Sequence, residues 1–446
     1  MRGNGDSWRK YRWHWKCAEK TVLTEKLIHY FRQIPDYRCG REKRHDLGEM
    51  LVCVTLGFLC GRTTIRRSLK WCKTHLEELR KHMNLKYGIA SPSTITRMLN
   101  GIDEELALYA FMEWIGEIVE SRNTHLAIDG KALCGATEKT KGETTPMLLN
   151  VVETVRGLIL AQLPVDSKTN EITAIPELLK LLDISGSIVT IDAVGTQTAI
   201  MEQIHEQGGH FVLTVKKNQP EAYEEIHTFM DKLGAEDLKR KKGEAMDPGM
   251  KEFLEKYEEI SQMEKNRDRN EYRTCQICKD ASNLTKSQKE WPHAQSIGRI
   301  KQVRIPKEKD SQGNDVTPSK EEFLEKGSRR IPAPSAGEGA GKDVQCTALI
   351  SDLILTAEEL GSIKRMHWSI ENRLHHVLDD TFREDRSPAK KSRNNLSLIR
   401  KYAYNILRLA MYETGLANIM TEMMDCFCDN AALRERYVFQ GIASLY

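Results

Sequence analysis

The sequence predicts an α/β protein with a helical N-terminal region, and three patterns along its 446 residues indicate this fold class. Between Leu23 and Met112, apolar residues recur mostly at helical spacing. Between His125 and Lys216, short β-type runs alternate with amphipathic helices, as they do in α/β sheets. After Val344, the run TALISDLIL adds a strand, and two helical segments follow it.

Residues 1–112 are predicted to form a helical domain that binds DNA. The opening MRGNGDSWRKYRWHWK mixes basic and aromatic residues, as nucleic-acid-binding patches do, although the net charge is only +3. MLVCVTLGFLC, from Met50 to Cys60, is too short to cross a bilayer and indicates a buried helix. SPSTITRML, from Ser91 to Leu99, begins as a capped helix does, and suits either a recognition helix or an ordinary helix.

Residues 113–217 and 345–410 are predicted to form the core that contains the sheet. Its strands are expected at HLAIDG, at MLLNVVETVRGLILAQLPV (two strands and a turn), at SIVTIDA, at HFVLTVK and at TALISDLIL. Residues 218–344 are expected to form an insertion whose Gly/Pro-rich loop is mobile. Residues 411–446 are expected to form a tail. Dispersed cysteines without a secretion signal predict reduced thiols in the cytoplasm.

Asp129 and Asp192 each stand at the end of an apolar strand, in AIDG and TIDA. A carboxylate in that position is costly unless it is paired, hydrogen-bonded or bound to a cation. Because the carboxyl ends of neighbouring strands meet at one edge of a sheet, the two side chains could lie a few Å apart and share a divalent cation. Either aspartate alone would also be explained as a turn or helix-capping residue.

The segment HWSIENRLHHVLDDTFREDRS supplies a third acid, on a helix expected at 357–382. The buried stripe of this helix follows steps of three and four: Ile363, Met366, Ile370, Leu374 and Val377. Glu371 flanks the stripe and is the acid best placed to reach Asp129 and Asp192. Three carboxylates without an obvious nucleophile predict an all-oxygen site for Mg²⁺ or Mn²⁺. Two such ions can activate a water and stabilise the leaving oxygen of a phosphodiester.

Zinc binding and a direct phosphate contact stay open as further chemistries for this and neighbouring segments. His367, Glu371 and His375 are spaced at i, i+4 and i+8, which would permit a helical zinc site, although the HExxH arrangement is absent. CQIC, from Cys275 to Cys278, has half of a zinc-site spacing. Lys131 lies two residues beyond Asp129 and would point to the same side, as a phosphate contact or an ordinary surface lysine.

Six motifs occur in an order that resembles one family of proteins: AIDGKAL, VTIDAVGTQ, GGHFVLTVKKNQP, WPHAQSIGRI, ISDL and HWSIENRLHHVLDDTFREDRS. This family is the bacterial insertion-sequence transposases of the DDE type, in particular the H-repeat-associated (ISAs-type) group. HYFRQIPDYRCGREKRHDLGEMLVC also resembles the N-terminal associated domain of that group. The resemblance covers most of the chain from Leu27 to about Leu409.

The resemblance implies a ribonuclease H-like core, with an insertion between the second Asp and the Glu. It implies Asp129, Asp192 and Glu371 as the catalytic, metal-holding triad, with two Mg²⁺ (or Mn²⁺) ions. The implied reaction is hydrolysis at each element end, which releases a 3′-hydroxyl that attacks target DNA. The implied partner is DNA, bound by a homodimer in the bacterial cytoplasm, with no membrane and no nucleotide cofactor. This chain departs from the wider family signature around its Glu, at Lys364, His367 and Leu378.

Side chains near these motifs are candidate DNA contacts. Trp291 would stack on an unpaired base or be a structural tryptophan. The basic residues after the Glu371 helix would clamp phosphates. The complete predicted set is Lys131, Trp291, His367, His375, Arg383, Arg386, Lys390, Lys391 and Arg393.

Two alternatives to a transposase are consistent with the same residues. The first is a domesticated or stand-alone Mg²⁺-dependent endonuclease, which keeps the metal site but moves no DNA. The second is a sequence-specific DNA-binding regulator whose acids are structural. This regulator would bind through the N-terminal helices without any dependence on metal.

Overall fold

The computed structural model describes residues 24–40, 43–133, 147–165, 171–265, 269–284, 291–306, 308–309, 315–316, 344–387, 389–443 and 445. The basic segment 1–16 and most of the loop predicted at 307–343 lie outside these residues. Within them, no helix is both long and apolar enough to cross a bilayer.

The chain divides into two compact units. The helical unit takes its described residues from 1–120, 381–383 and 387–446, and the sheet unit takes its own from 121–380 and 384–386. Elements are numbered along the chain. The helices of the helical unit are α1 (Leu27–Gln33), α2 (Leu47–Leu59), α3 (Ile65–Thr74), α4 (Leu76–Leu79), α5 (Pro92–Gly101), α6 (Glu104–Gly116), α12 (Arg393–Thr414), α13 (Met420–Asp429) and α14 (Ala431–Arg434).

Two predicted helices of the helical unit are confirmed. Every residue of α2 is buried, as the apolar run predicted. At the start of α5, the Ser91 hydroxyl accepts a hydrogen bond from the backbone N–H of Thr94, and Pro92 occupies the first turn. These are the residues that satisfy or avoid free N–H groups at a helix start. The role of α5 as a recognition helix stays a prediction.

Helix α12 belongs to the helical unit, which corrects two predicted boundaries. The ring of Tyr402 packs against the rings of Phe111 and Trp114, with centroids 4.8 Å apart in both pairs. The predicted core segment 345–410 therefore ends before α12, and the predicted tail 411–446 continues a packed helical bundle. An apolar stripe shows that a helix is buried, but it does not show which core buries it.

The sheet unit contains α7 (Glu171–Lys180), α8 (Thr198–Glu206), α9 (Pro220–Lys242), α10 (Lys251–Glu255) and α11 (Ala357–Ile370). Its strands are β1 (His125–Ala132), β2 (Met147–Glu153), β3 (Leu158–Val165), β4 (Ile188–Ile191), β5 (His210–Val215), β6 (Tyr257–Lys265), β7 (Arg269–Cys278), β8 (Ser296–Pro306), β9 (Glu308–Lys309), β10 (Asp315–Val316) and β11 (Val344–Ser351). The six strands predicted in the core are all present, as β1 to β5 and β11.

One large mixed sheet runs through the unit, in the order β3-β2-β1-β4-β5-β11-β8-β7-β6 across the described strands. β1, β4 and β5 are parallel to one another, and the remaining neighbours are antiparallel. Strands β6, β7 and β8 come from the predicted insertion, 218–344. They extend the main sheet because β11 pairs with β5 on one side and with β8 on the other.

The helix predicted at 357–382 changes its winding part-way. It is α-helical up to Ile370. Two π-helical segments follow, Glu371–His375 and Val377–Thr381. A π-turn contains one more residue than an α-turn, so the buried stripe shifts along the sequence. Leu378 is fully buried where the α-helical spacing predicted Val377, which is only half-buried.

Candidate active site

Asp129 and Asp192 lie side by side where the pairing of β1 with β4 ends. Asp129 lies within β1, three residues before its carboxyl end, and stays paired with Asn150 of β2, whereas Asp192 directly follows β4. Because β1 and β4 are parallel neighbours in which Ile128 pairs with Ile191, the two aspartates occupy matching positions at one edge. In open α/β sheets, ligands bind outside the carboxyl ends of the strands. The sequence placed both residues at this edge.

The carboxyl group of Asp129 is crowded by negative charge. Burial raises its pKa to about 7, and the nearby charges of Asp192, Glu371 and Glu171 act in the same direction. The backbone N–H of Gly130 donates to one oxygen at 2.9 Å and opposes part of this rise. Ionised acids in this position repel one another, and a cation among them would relieve the repulsion.

Asp192 is compensated by two lysines. The ammonium of Lys216, which directly follows β5, lies 2.7 Å from Asp192 Oδ2. Burial alone would raise the pKa of Asp192, but Lys216 and then Lys364 outweigh it, so the pKa lies below its usual value. Asp192 is therefore ionised under the conditions in which Asp129 is partly protonated.

The ammonium of Lys364 is buried and is affected by the charges of the acids. It stands seven residues before Glu371 on α11 and donates to the hydroxyl of Thr214 on β5, at 2.8 Å. Burial lowers its pKa to about 8, and the charges of Asp192, Asp129 and Glu371 offset part of that effect. The ammonium is thus held inside the unit by a hydrogen bond and by the acids together.

Glu371 begins the first π-helical segment and is exposed. Its charge raises the pKa values of both Asp129 and Lys364. π-helical turns inside α-helices are frequent at functional sites. His375 lies at the end of the same segment, with its Nδ1 3.6 Å from Asp129 Oδ2.

A histidine–threonine network lies behind the acids. The hydroxyl of Thr190 on β4 lies 3.0 Å from His125 Nε2 and 3.0 Å from His367 Nδ1. The other ring nitrogen of His125 lies 2.7 Å from the hydroxyl of Thr154. Burial lowers the pKa of His125 to about 3 and holds that of His367 well below its usual value, so both rings are neutral. The network ties α11 to β1 and β4.

Three of the predicted DNA contacts are buried inside the protein. Lys131 is 4% exposed and lies 2.5 Å from Asp379, 3.3 Å from Glu384 and 3.4 Å from Asp385, measured to carboxylate oxygens. Trp291 and His367 are each 5% exposed. The predictions of these three as DNA contacts are corrected, because all three side chains are buried in the sheet unit, where ion pairs hold Lys131 and the hydroxyl of Thr190 contacts His367.

The remaining predicted contacts stay accessible. Arg383, Arg386, Lys390 and Lys391 are exposed, and His375 and Arg393 are half-buried. They stay predictions.

Sequence reasoning missed Lys216, Lys364 and Glu171. Lys216 follows β5 just as Asp192 follows β4, so the strand-end argument would also have found it. Glu171 begins α7, and its carboxylate would lie 2.7 Å from a Cβ atom placed on Gly130. The glycine after Asp129 therefore leaves room for a fourth acid.

The donor chemistry of this edge fits a hard divalent cation, because its acids offer carboxylate oxygens and the negative charge at Asp129 is uncompensated. However, no three His, Cys, Asp or Glu side chains within the described parts of the chain are already gathered as a metal site. Cys275 and Cys278 are free, buried thiols.

Comparison with protein families identifies the chain. A model described as "Transposase DDE domain" matches residues 120–406, and one described as "DDE_Tnp_1-associated" matches residues 28–115. The chain belongs to the DDE transposase family. Members of this family generally use a divalent metal ion.

The chain is similar to several bacterial proteins. The H repeat-associated putative transposase YhhI of Escherichia coli K12 is 28% identical over 388 residues, which cover 86% of this chain and 90% of YhhI. The putative protein YbfL of the same strain has the same identity and coverage. The H repeat-associated putative transposase YbfD is 32% identical over 196 residues, 44% of this chain and 78% of YbfD. The predicted H-repeat-associated transposase family is confirmed.

One solved structure, the synaptic complex of piggyBac transposase with hairpin DNA, is similar over 93% of this chain and 79% of that chain. It has a TM-score of 0.39 and 10% identity.

Proposed function

We propose that the chain is the transposase of an insertion sequence, and that Asp129, Asp192 and Glu371 hold the divalent cations of its active site. The observation that carries the proposal is the edge itself. Two aspartates occupy matching positions on neighbouring parallel strands, and Glu371, which directly follows α11, acts electrostatically on the first of them. The family assignment gives this arrangement its chemistry.

In this proposal, the core is ribonuclease H-like, and Asp129, Asp192 and Glu371 would together hold the Mg²⁺ or Mn²⁺ ions. Bound in this way, the ions would supply charge stabilisation and an activated oxygen nucleophile for phosphodiester cleavage. The protein's own part is to bring the three carboxyl groups to one edge of the sheet. Lys364 and the neutral histidine–threonine network support that edge from within.

The proposed reaction has two steps on DNA. Hydrolysis at an element end breaks the bond between the phosphorus and the 3′-oxygen, and a water supplies the hydroxyl that the phosphate gains. The freed 3′-hydroxyl then attacks a phosphodiester of target DNA and displaces the strand beyond it. Two element ends must be processed together, so the chain is proposed to act as a homodimer on DNA. Exposed Arg383, Arg386, Lys390 and Lys391 are proposed to contact phosphates.

Cleavage of end-labelled duplexes tests the triad. Duplexes that span each boundary of the element are incubated with the full chain and Mg²⁺, Mn²⁺ or EDTA. We expect cleavage only with a divalent cation, and a loss of at least a hundredfold in Asp129→Asn, Asp192→Asn and Glu371→Gln, since each removes a metal-holding charge.

Two matched controls report general charge effects. Asp183→Asn alters an exposed loop aspartate, and Glu358→Gln alters an exposed glutamate in the first turn of α11. Both should cleave as the unaltered protein does. Metal-dependent cleavage that survives all three triad substitutions would refute the assignment. Cleavage without joining to target DNA would favour the stand-alone endonuclease, and metal-independent binding alone would favour the regulator.

A further inference from the structure

Lys216 lies at the same edge of the sheet as the acids. It directly follows β5, the strand next to the one that Asp192 follows. β4 and β5 are parallel neighbours, and Ile191 pairs with Leu213. The carboxylate that follows β4 and the ammonium that follows β5 therefore emerge from the same edge of the sheet. Their atoms lie 2.7 Å apart, which makes this a direct ion pair.

The two lysines near Asp192 differ in how firmly they are held. Lys364 is 3% exposed and donates to Thr214. The side chain of Lys216 is 51% exposed, and that of Asp192 is 43% exposed. Ion pairs this exposed contribute little to stability, and a lysine side chain is long and flexible. Lys216 can therefore leave Asp192 at small cost, whereas Lys364 cannot move without breaking a buried hydrogen bond.

A cation bound at Asp192 would compete with Lys216 for its carboxylate. Mg²⁺ approaches carboxylate oxygens to about 2.0–2.1 Å, so its charge would repel the nearby ammonium and weaken the ion pair. The displaced lysine would remain at the edge where DNA is cut in the proposed function. The nearest new negative charge there is a DNA phosphate.

We infer that Lys216 is an exchangeable counter-charge, which occupies Asp192 in the metal-free protein and moves to a phosphate of the DNA when a divalent cation binds. The inference rests on the proposed function. Its structural basis is the direct contact between the ammonium of Lys216 and Asp192 Oδ2. It also predicts that Lys216 opposes the binding of a divalent cation and favours the binding of DNA.

Removing the charge of Lys216 separates these effects. Lys216→Met should bind Mn²⁺ more tightly, by up to about fivefold, the equivalent of an exposed ion pair of about 1 kcal/mol. The same variant should bind DNA more weakly in the presence of Mg²⁺. The slope of log affinity against log salt concentration should fall in magnitude by about 1, as expected for one lost phosphate contact. If the lysine had a purely structural role, its replacement would weaken the binding of both Mn²⁺ and DNA.

The test uses the full chain, with Mn²⁺ binding measured by calorimetry and DNA binding by fluorescence anisotropy at several salt concentrations. Lys217→Met is the matched control, because Lys217 is exposed and adjacent in sequence. Lys216→Arg retains the charge and should stay close to the unaltered protein in both assays. Circular dichroism and melting temperature verify that each variant is folded, as expected for an exposed position.

Three outcomes would overturn the inference: unchanged or weaker Mn²⁺ binding by Lys216→Met, an unchanged salt slope, or equal effects of Lys217→Met. Asp192→Asn distinguishes this failure from failure of the proposed function. If Asp192→Asn leaves Mn²⁺ binding intact, the metal site itself is misplaced. If Asp192→Asn abolishes Mn²⁺ binding while Lys216→Met has no effect, only the exchange is wrong.

Discussion

Replacing Thr190 with valine should loosen α11, the helix that leads to Glu371, from the sheet. In the structure, one hydroxyl lies within hydrogen-bond distance of His125 Nε2, His367 Nδ1 and the carbonyl of Leu126. A hydroxyl has one donor and two acceptor sites. All three contacts are satisfied when Thr190 donates to Leu126 and accepts an N–H from each neutral ring.

Valine keeps the shape of the side chain but accepts no hydrogen bond. Two buried ring N–H groups then lose their partner, and each unsatisfied buried donor costs about 1–3 kcal/mol. Because the two rings share one hydroxyl, the costs do not simply add, and we expect a total of about 2–4 kcal/mol. This cost falls on the contact of α11 with β1 and β4, so it should appear as local opening of that helix.

Hydrogen–deuterium exchange of peptides from α11 measures this opening directly. Since about 1.4 kcal/mol corresponds to a tenfold change in an equilibrium constant, Thr190→Val should speed exchange by about 30-fold to several hundredfold. Thr190→Ser is the matched control, because it keeps the hydroxyl and loses only a methyl group. Exchange in Thr190→Val within threefold of that in Thr190→Ser would refute the hydrogen-bond network as the cause.

Two further predictions concern charge and close packing. Without metal, Asp129→Asn should melt at a higher temperature than the unaltered protein at pH 8, with the advantage fading towards pH 4; equal or lower melting at pH 8 would contradict it. The sign follows because the folded pKa of Asp129 is raised to about 7, so ionisation opposes folding increasingly from about pH 4 up to pH 7. Gly57→Ala should lower the free energy of unfolding by about 1–3 kcal/mol, since its Cβ would lie 2.1 Å from Ser68 Cβ. Gly116→Ala places its Cβ in open space and should leave stability unchanged or raise it. Thermal melting of both variants measures the difference, and a similar loss in Gly116→Ala would contradict the packing explanation.

The strands and the two aspartates were predictable because their signals are local. The apolar runs before Asp129 and Asp192 show the two strands. The run before Asp-Ala also marks the end of β4, whereas β1 continues beyond Asp-Gly to Ala132. Parallel pairing then brings Asp129 and Asp192 to one edge. Glu371 was selected by helical phase, and that phase holds as far as Ile370, which is the last α-helical residue before it.

The features that could not be predicted depend on contacts between distant parts of the chain. Lys131 points to the expected side of β1, but its partners are acids about 250 positions later, so its burial could not be seen in AIDGKAL. The change to π-helical winding moved the buried stripe to Leu378. The partners of α12 and the continuity of β6 to β8 with the main sheet are likewise decided by packing over long sequence distances.

The position of β11 in the sheet determines the order in which the strands can pair while the chain is being synthesised. β1, β4 and β5 can associate once the first half of the chain is available, whereas β8, β7 and β6 cannot join them until β11 arrives between β5 and β8. Before that moment, two partial sheets expose unpaired edges, which are prone to pair wrongly with other chains. Asp129 and Asp192 can meet early, whereas Glu371 follows β11 along the chain and is synthesised after every strand of the sheet. The three acids are therefore present together only once all the strands of the large sheet have been made.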